Sequence, residues 1–191
     1  MDKQIVKTEI LVEKLLGKQK RGDGSSNAQH AKRVRALLIA ALKEAKETPP
    51  PLHATALECA ALGHDLLEDS PITKKEIIKL AGKESLSYIE ELTNTWGDTH
   101  KAPYIKQMVQ ASEEARLIKY ADLTDNLFHA SYQTASLGKK WMKSYFLPIV
   151  DPMRKALDTT TFKKYAKTAG FLKNSAALAR AHLAESVRQI K

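Results

Sequence analysis

The chain has 191 residues, 43% hydrophobic and 28% charged, with 31 Lys and Arg against 22 Asp and Glu for a net charge of +9. That length suits one domain with a sizeable core, and the composition excludes a disordered chain. The single cysteine, Cys59, excludes an internal disulfide or a thiolate-rich zinc cluster, and the longest aliphatic run, Ala36–Leu42, falls far short of the ~20 residues of a membrane span. The amphipathic, acid-bearing start MDKQIVKTEI fits neither a signal nor a transit peptide, so a cytoplasmic protein is expected.

Against 25 Ala and 23 Leu stand only 8 Gly and 7 Pro, and no stretch alternates apolar and polar residues between hairpin turns, so the chain reads as all-α. Residues 3–18 carry Ile5, Thr8, Val12, Leu15 and Leu16 close to one helical stripe. KQKRGDGSSNAQ breaks this helix, and a second is expected over about 28–46 through Val34, Leu37, Leu38, Ala41 and Leu42. ETPPPL stops it and opens a third over about 52–67, since proline is tolerated in a first turn. After Ser70-Pro71, Thr73 caps a short helix to about residue 81, with Glu76 at the capping-box distance. Helices are expected over about 83–95, 103–111 and 113–136, the first two separated by the loop WGDTHKAP. Gly138, Pro148 and Pro152 punctuate the C-terminal third, and the spacing predicts helices over about 139–157, 160–168 and 171–190. With no repeat or dividing linker, residues 1–191 are expected to form one domain of about eight to ten helices, a core over about 15–135 and then the C-terminal helices.

The basic balance calls for an anionic partner: nucleic acid, a membrane surface or a phosphorylated small molecule. His64-Asp65 closes a helix otherwise made of Ala, Leu and Cys, and adjacent polar residues buried there need partners. A divalent cation would satisfy both. Imidazole and carboxylate without thiolate suit Zn, Mn, Fe, Co or Ni and hydrolytic chemistry on oxygen-rich substrates. Asp122 lies in a similar setting, EARLIKYADLTDNL, and His30 opens the second helix. Taken singly, each reads equally well as a buried structural residue.

The combination His…His-Asp…Asp on separate helices resembles the HD superfamily of metal-dependent phosphohydrolases. HDLLEDS is similar to the HDxxED signature of one branch, the alarmone hydrolase domain of RelA/SpoT-type proteins and its stand-alone small relatives. ARLIKYADLTDNL resembles that branch's second signature, LxKxADRxxN. Arg21, nine residues before His30, stands at the offset of the family's base-stacking arginine. The sequence departs from the pattern at Ala31, Gly22, Leu123, Asp125 and His129, none of which is a metal ligand in the family.

The resemblance implies an HD helical domain in which His30, His64, Asp65 and Asp122 bind one divalent metal, manganese in most relatives. It implies that Glu68 and Asp69 orient or deprotonate the attacking water, that Asn126 contacts the sugar and that Arg21 covers the base. The implied reaction is hydrolysis of the 3′-pyrophosphate of (p)ppGpp or (p)ppApp, releasing pyrophosphate, by a hydrolase standing alone without a synthetase half. Lys119 and His129 are further substrate-side candidates, and Tyr104 and Lys106 weaker ones. His53, His100 and His182 are expected at the surface, and Trp96 and Trp141 in the core or at helix junctions. Two other readings stay open: an HD-type 5′-nucleotidase, and a basic helical module that binds nucleic acid or an acidic partner around a vestigial metal site. The ligand set favours a small nucleotide over nucleic acid and leaves the oligomeric state undetermined.

Overall fold

The stripe of Ile5, Thr8, Val12 and Leu16 is the buried face of α1 (Lys3–Leu16) in the computed structural model, which describes residues 2–97 and 101–189. Helix α2 (Asn27–Ala45) starts at Ser26, whose side chain accepts from the Gln29 N–H while the Gln29 side chain returns to the Ser26 N–H. Helix α3 (Pro51–Gly63) opens on exposed Pro51, Leu52 and His53, and from Ala56 on it buries Ala56, Leu57, Cys59, Ala60, Ala61 and Leu62. A stretch this apolar must be enclosed, and α3 runs between α1, α2 and Lys83–Leu92, which is α6.

The third helix stops earlier than the spacing predicts. His64 and Asp65 form a break, and a separate single turn, α4 (Leu66–Asp69), comes after it. The expected capping box opens α5 (Lys74–Ala81), with the Thr73 side chain accepting from the Glu76 N–H. Beyond α7 (Lys101–Gln110), α8 (Glu113–Trp141) buries Leu117, Ile118, Ala121 and Leu127, and non-helical dihedrals at Gly138 break its last turn. Among the described residues the only β pairing is one isolated bridge, Lys20 with Ser26.

The C-terminal region differs most from expectation. A π-helical segment, Met142–Phe146, leads into α9 (Leu147–Asp158), and Pro152 lies inside that helix. Proline leaves the carbonyl four residues back without its helical donor. Lys101 Nζ, 3.3 Å from Pro148 O, supplies one. Residues 160–165 of the helix predicted over 160–168 are not helical; 166–168 instead begin α10 (Ala166–Gln189), which takes in the helix predicted over 171–190. Its start is set from elsewhere in the fold: Glu113 accepts from the N–H groups of Lys163, Lys164 and Tyr165, and Glu47 from those of Lys167 and Thr168. These two carboxylates satisfy donors that a helix start leaves orphaned, and no local spacing encodes them. Helix α10 then packs along α8 and α2. No helix among the described residues is long and apolar enough to cross a membrane.

Gly82 joins α5 to α6 at φ 92°, ψ 162°, where side chains are essentially excluded, and a Cβ there would lie 3.0 Å from Gln4 Nε2. Gly82→Ala is expected to lower the unfolding free energy by about 1–3 kcal/mol in urea titration, without altering the junction of α2, α3 and α8.

Candidate metal centre and cleft

Three helices meet where α2 begins, α3 ends and the middle of α8 passes. His30 is delivered by the first turn of α2, His64 and Asp65 by the break after α3, and Asp122 by α8. The Nε2 atoms of His30 and His64 face one another at 3.3 Å. Asp122 Oδ1 lies 3.1 Å from the first and 3.8 Å from the second; Asp65 Oδ2 lies 3.8 and 3.1 Å from them. Donor atoms of His30, His64 and Asp65 all fall within 4.8 Å of one another, and both imidazoles are buried.

The far nitrogens decide what these near ones carry. His30 Nδ1 is 2.7 Å from the Asp125 carboxylate, and His64 Nδ1 is 2.9 Å from the carbonyl of Ala61. Both partners are acceptors, so each Nδ1 carries a hydrogen, and in the neutral rings both Nε2 atoms present lone pairs to each other. Two buried lone pairs flanked by two carboxylates require a positive charge between them. A divalent cation supplies it, and this donor set of two imidazoles and two carboxylates fits one of the first transition row. A proton is the alternative. Burial opposes charging His64, but Asp65 and then Asp122 overcome it and push the imidazole up to about 9. Burial likewise opposes the ionisation of Asp122, yet Lys119, at 2.8 Å, and the imidazoles hold its carboxyl well below the usual range.

A cavity of about 160 Å³ opens over this cluster, walled by Glu68, Asn94, Lys101, Tyr104, Lys119 and Asn126 together with Leu123, Val150 and Met153. Glu68 sits at its mouth and accepts from the Asn94 N–H at 2.6 Å. Enclosure by protein, with Asp65 nearby, pushes its carboxyl up to about 7 against the pull of that hydrogen bond. The volume is below the ~300 Å³ at which pockets begin to hold drug-sized ligands. A second cavity, of about 360 Å³, adjoins it across Asn126 and is lined by Arg21, Gly22, His129, Gln133, Trp141 and Phe146. Asn126 spans the two: its Nδ2 donates to Asp122 Oδ1 at 2.6 Å, and its Oδ1 accepts from Arg21. The rings of Trp141 and Phe146 stack with centroids 5.5 Å apart.

The structure therefore brings His30, His64, Asp65 and Asp122 together, with Glu68, Lys119 and Asn126 beside them and Arg21 and His129 around the second cavity. Asp69 does not line this cavity; its Oδ2 lies 3.3 Å from Asn27 Nδ2, and burial and then the neighbouring Asp65 push its carboxyl up. Tyr104 lines the cavity and donates to the Leu92 carbonyl at 2.6 Å, whereas Lys106 is exposed and does not line it. Lys101, half-buried in the first turn of the same helix and three residues before Tyr104, takes the wall position. Trp96 is 41% exposed beyond the end of α6, a correction to its expected burial: the loop there has no helix to cover it. Trp141 packs partly buried at the junction of α8 and the π-helical segment. His53 pairs with Glu84 at the surface, His182 is exposed, and His100 lies outside the described residues.

No family model matches the chain, and no curated protein matches it. A solved structure does: a metazoan orthologue of SpoT, described as hydrolysing ppGpp and playing a role in starvation responses. The TM-score is 0.62 at 21% identity, over 99% of this chain and 96% of that one. The two share a fold along essentially their whole length, and that fold is the all-α domain formed by α1 to α10.

His64 gives a pH signature. Its folded pKa, about 9, is raised above the ordinary 6.5. The stability it contributes is therefore complete below about 6.5 and lost as pH rises through about 9. Melting of chelator-treated protein is expected to show a falling Tm across that window, and a divalent cation bound between the imidazoles would flatten the fall.

Proposed function

We propose that this protein is a metal-dependent pyrophosphohydrolase that removes the 3′-pyrophosphate from alarmone nucleotides of the (p)ppGpp or (p)ppApp type. The observation that carries the reading is the pair of buried imidazole Nε2 atoms, 3.3 Å apart between two carboxylates, beside a lysine-lined cavity that shares Asn126 with an aromatic-lined one. A phosphorylated nucleotide has the same order of parts: phosphates, sugar, base. The shared fold with a ppGpp-hydrolysing protein supports the choice of substrate class.

His30, His64, Asp65 and Asp122 would hold the ion, manganese or a neighbour in the first transition row. Such an ion lowers the pKa of water toward neutrality and offsets charge developing on phosphoryl oxygen. Glu68, with a carboxyl near pH 7, is suited to take the attacking water's proton. Lys101 and Lys119 face the phosphates. Asn126 reaches the sugar, and Arg21, tied to Asn126, lies over the base beside Trp141 and Phe146. Water attacks the phosphorus attached to the 3′-oxygen, the 3′ O–P bond breaks, and pyrophosphate leaves together with a nucleotide bearing a free 3′-hydroxyl. Part of the +9 charge draws a polyanion toward the cleft, and the rest keeps helix faces solvated.

Purified protein with Mn²⁺ is expected to release pyrophosphate from ppGpp, pppGpp or ppApp, and Asp65→Ala to abolish that release. Glu68→Gln is expected to lower kcat about 10²–10⁴-fold and to remove the rise in rate through pH 7. Orthophosphate released only from nucleoside 5′-monophosphates would make the protein a 5′-nucleotidase instead. Absence of turnover with steeply salt-dependent oligonucleotide binding would make it a nucleic-acid-binding module.

A further inference from the structure

Behind the metal centre, away from the cleft, the buried carboxylate of Asp125 collects three cationic or N–H-bearing side chains. Its Oδ2 is 2.7 Å from His30 Nδ1, and Arg33 grips both oxygens through Nε at 2.8 Å and Nη2 at 3.1 Å. His129 Nε2 approaches Oδ1 at 3.6 Å, while His129 Nδ1 is held by Asp23 in the loop before α2. His30 and Arg33 lie one turn apart on α2, and Asp122 and Asp125 one turn apart on α8. The two helices thus meet in two rungs: one, His30 with Asp122, points to the ion; the other, Arg33 with Asp125, backs it.

We propose that Asp125 is a positioning residue for the metal centre, holding the His30 ring in the orientation and tautomer that aim its Nε2 lone pair at the ion, with Arg33 clamping the carboxylate so that it cannot turn away. The proposal rests on the metal-binding reading of the site, not on which nucleotide it hydrolyses. The carboxylate could equally be only half of an ion pair with Arg33 that joins two helices. The geometry speaks against that simpler role, because Oδ2 is shared: it lies 2.7 Å from His30 Nδ1 as well as 3.1 Å from Arg33 Nη2, so the carboxylate holds the imidazole directly. A carboxylate that accepts from the rear nitrogen of a ligating histidine fixes the ring and makes its front nitrogen a better donor. Losing such a partner commonly costs 10–100-fold in metal affinity. Asp23 and His129 continue the arrangement to the loop that also carries Arg21, so a single contact chain joins the base side of the site to His30.

The test is calorimetric titration of the chelator-treated full chain with Mn²⁺, with visible absorption of the Co²⁺ form as a second readout. Asp125→Ala is expected to weaken Mn²⁺ binding about 10–100-fold and to change the Co²⁺ band. Asp125→Asn, which keeps an oxygen acceptor for His30, should fall between this variant and the wild type. Glu58→Ala removes a comparable ion pair with Arg35, 2.6 Å long and remote from the site, and should lower Tm without moving the metal affinity. Wild-type affinity in a folded Asp125→Ala would overturn the proposal, leaving Asp125 a helix-joining ion pair. If Asp125→Ala does not fold, unchanged affinity and Co²⁺ spectrum in Asp125→Asn overturn it equally. If the wild type binds neither metal, the reading of the centre itself falls, and this inference with it.

Discussion

Everything in this molecule is arranged around a contact that would be repulsive on its own: two imidazole nitrogens, both with lone pairs, facing each other at 3.3 Å in a buried place. Water cannot relieve it, because His30 and His64 are 1% and 3% exposed. Only a positive charge can: a proton, which the flanking Asp65 and Asp122 favour on His64, or a divalent cation held between the same groups. The packing holds this contact in place. Helix α3, buried through its second half, delivers His64 at its end; the capping box of α2 fixes where His30 starts; and α8, packed against both α2 and α10, carries Asp122 past them.

From that contact outward, polar groups are ordered by charge. Acids lie next to the two imidazoles, and the cations Lys101, Lys119 and Arg21 lie one step further out, lining the two adjoining cavities. Lys119 serves both layers, since its bond to Asp122 neutralises a buried carboxylate while its ammonium faces the cavity. Buried charge of this kind contributes little to stability. Its arrangement here is better explained by what enters the cleft than by what keeps the helices together.

The metal centre is legible in the sequence because histidine and aspartate in apolar helices are conspicuous, and because HDLLEDS and KYADLTDN resemble known signatures. Helix existence is equally legible from three- and four-residue spacing. What escapes is set by contacts distant in sequence. The start of α10 depends on Glu47 and Glu113; the continuity of α9 through Pro152 has Lys101 beneath it. The break at His64-Asp65 reads as helix because α3 is apolar up to that point, and nothing local marks its end. Asp125 is visible only as a departure from a pattern, and its bond to a histidine 95 residues away needs coordinates to be seen. Trp96 shows the opposite error, a large aromatic assigned to the interior by type alone.

The two glutamates that start α10 also bear on how the chain reaches this fold. The Glu47 bonds to Lys167 and Thr168 span 120 and 121 residues, and those of Glu113 to Lys163, Lys164 and Tyr165 span 50 to 52. Contacts of such separation close the largest loops of a chain and are reached late. The start of the last helix is thus tied both to the end of α2 and to the start of α8, the two helices that carry His30 and Asp122.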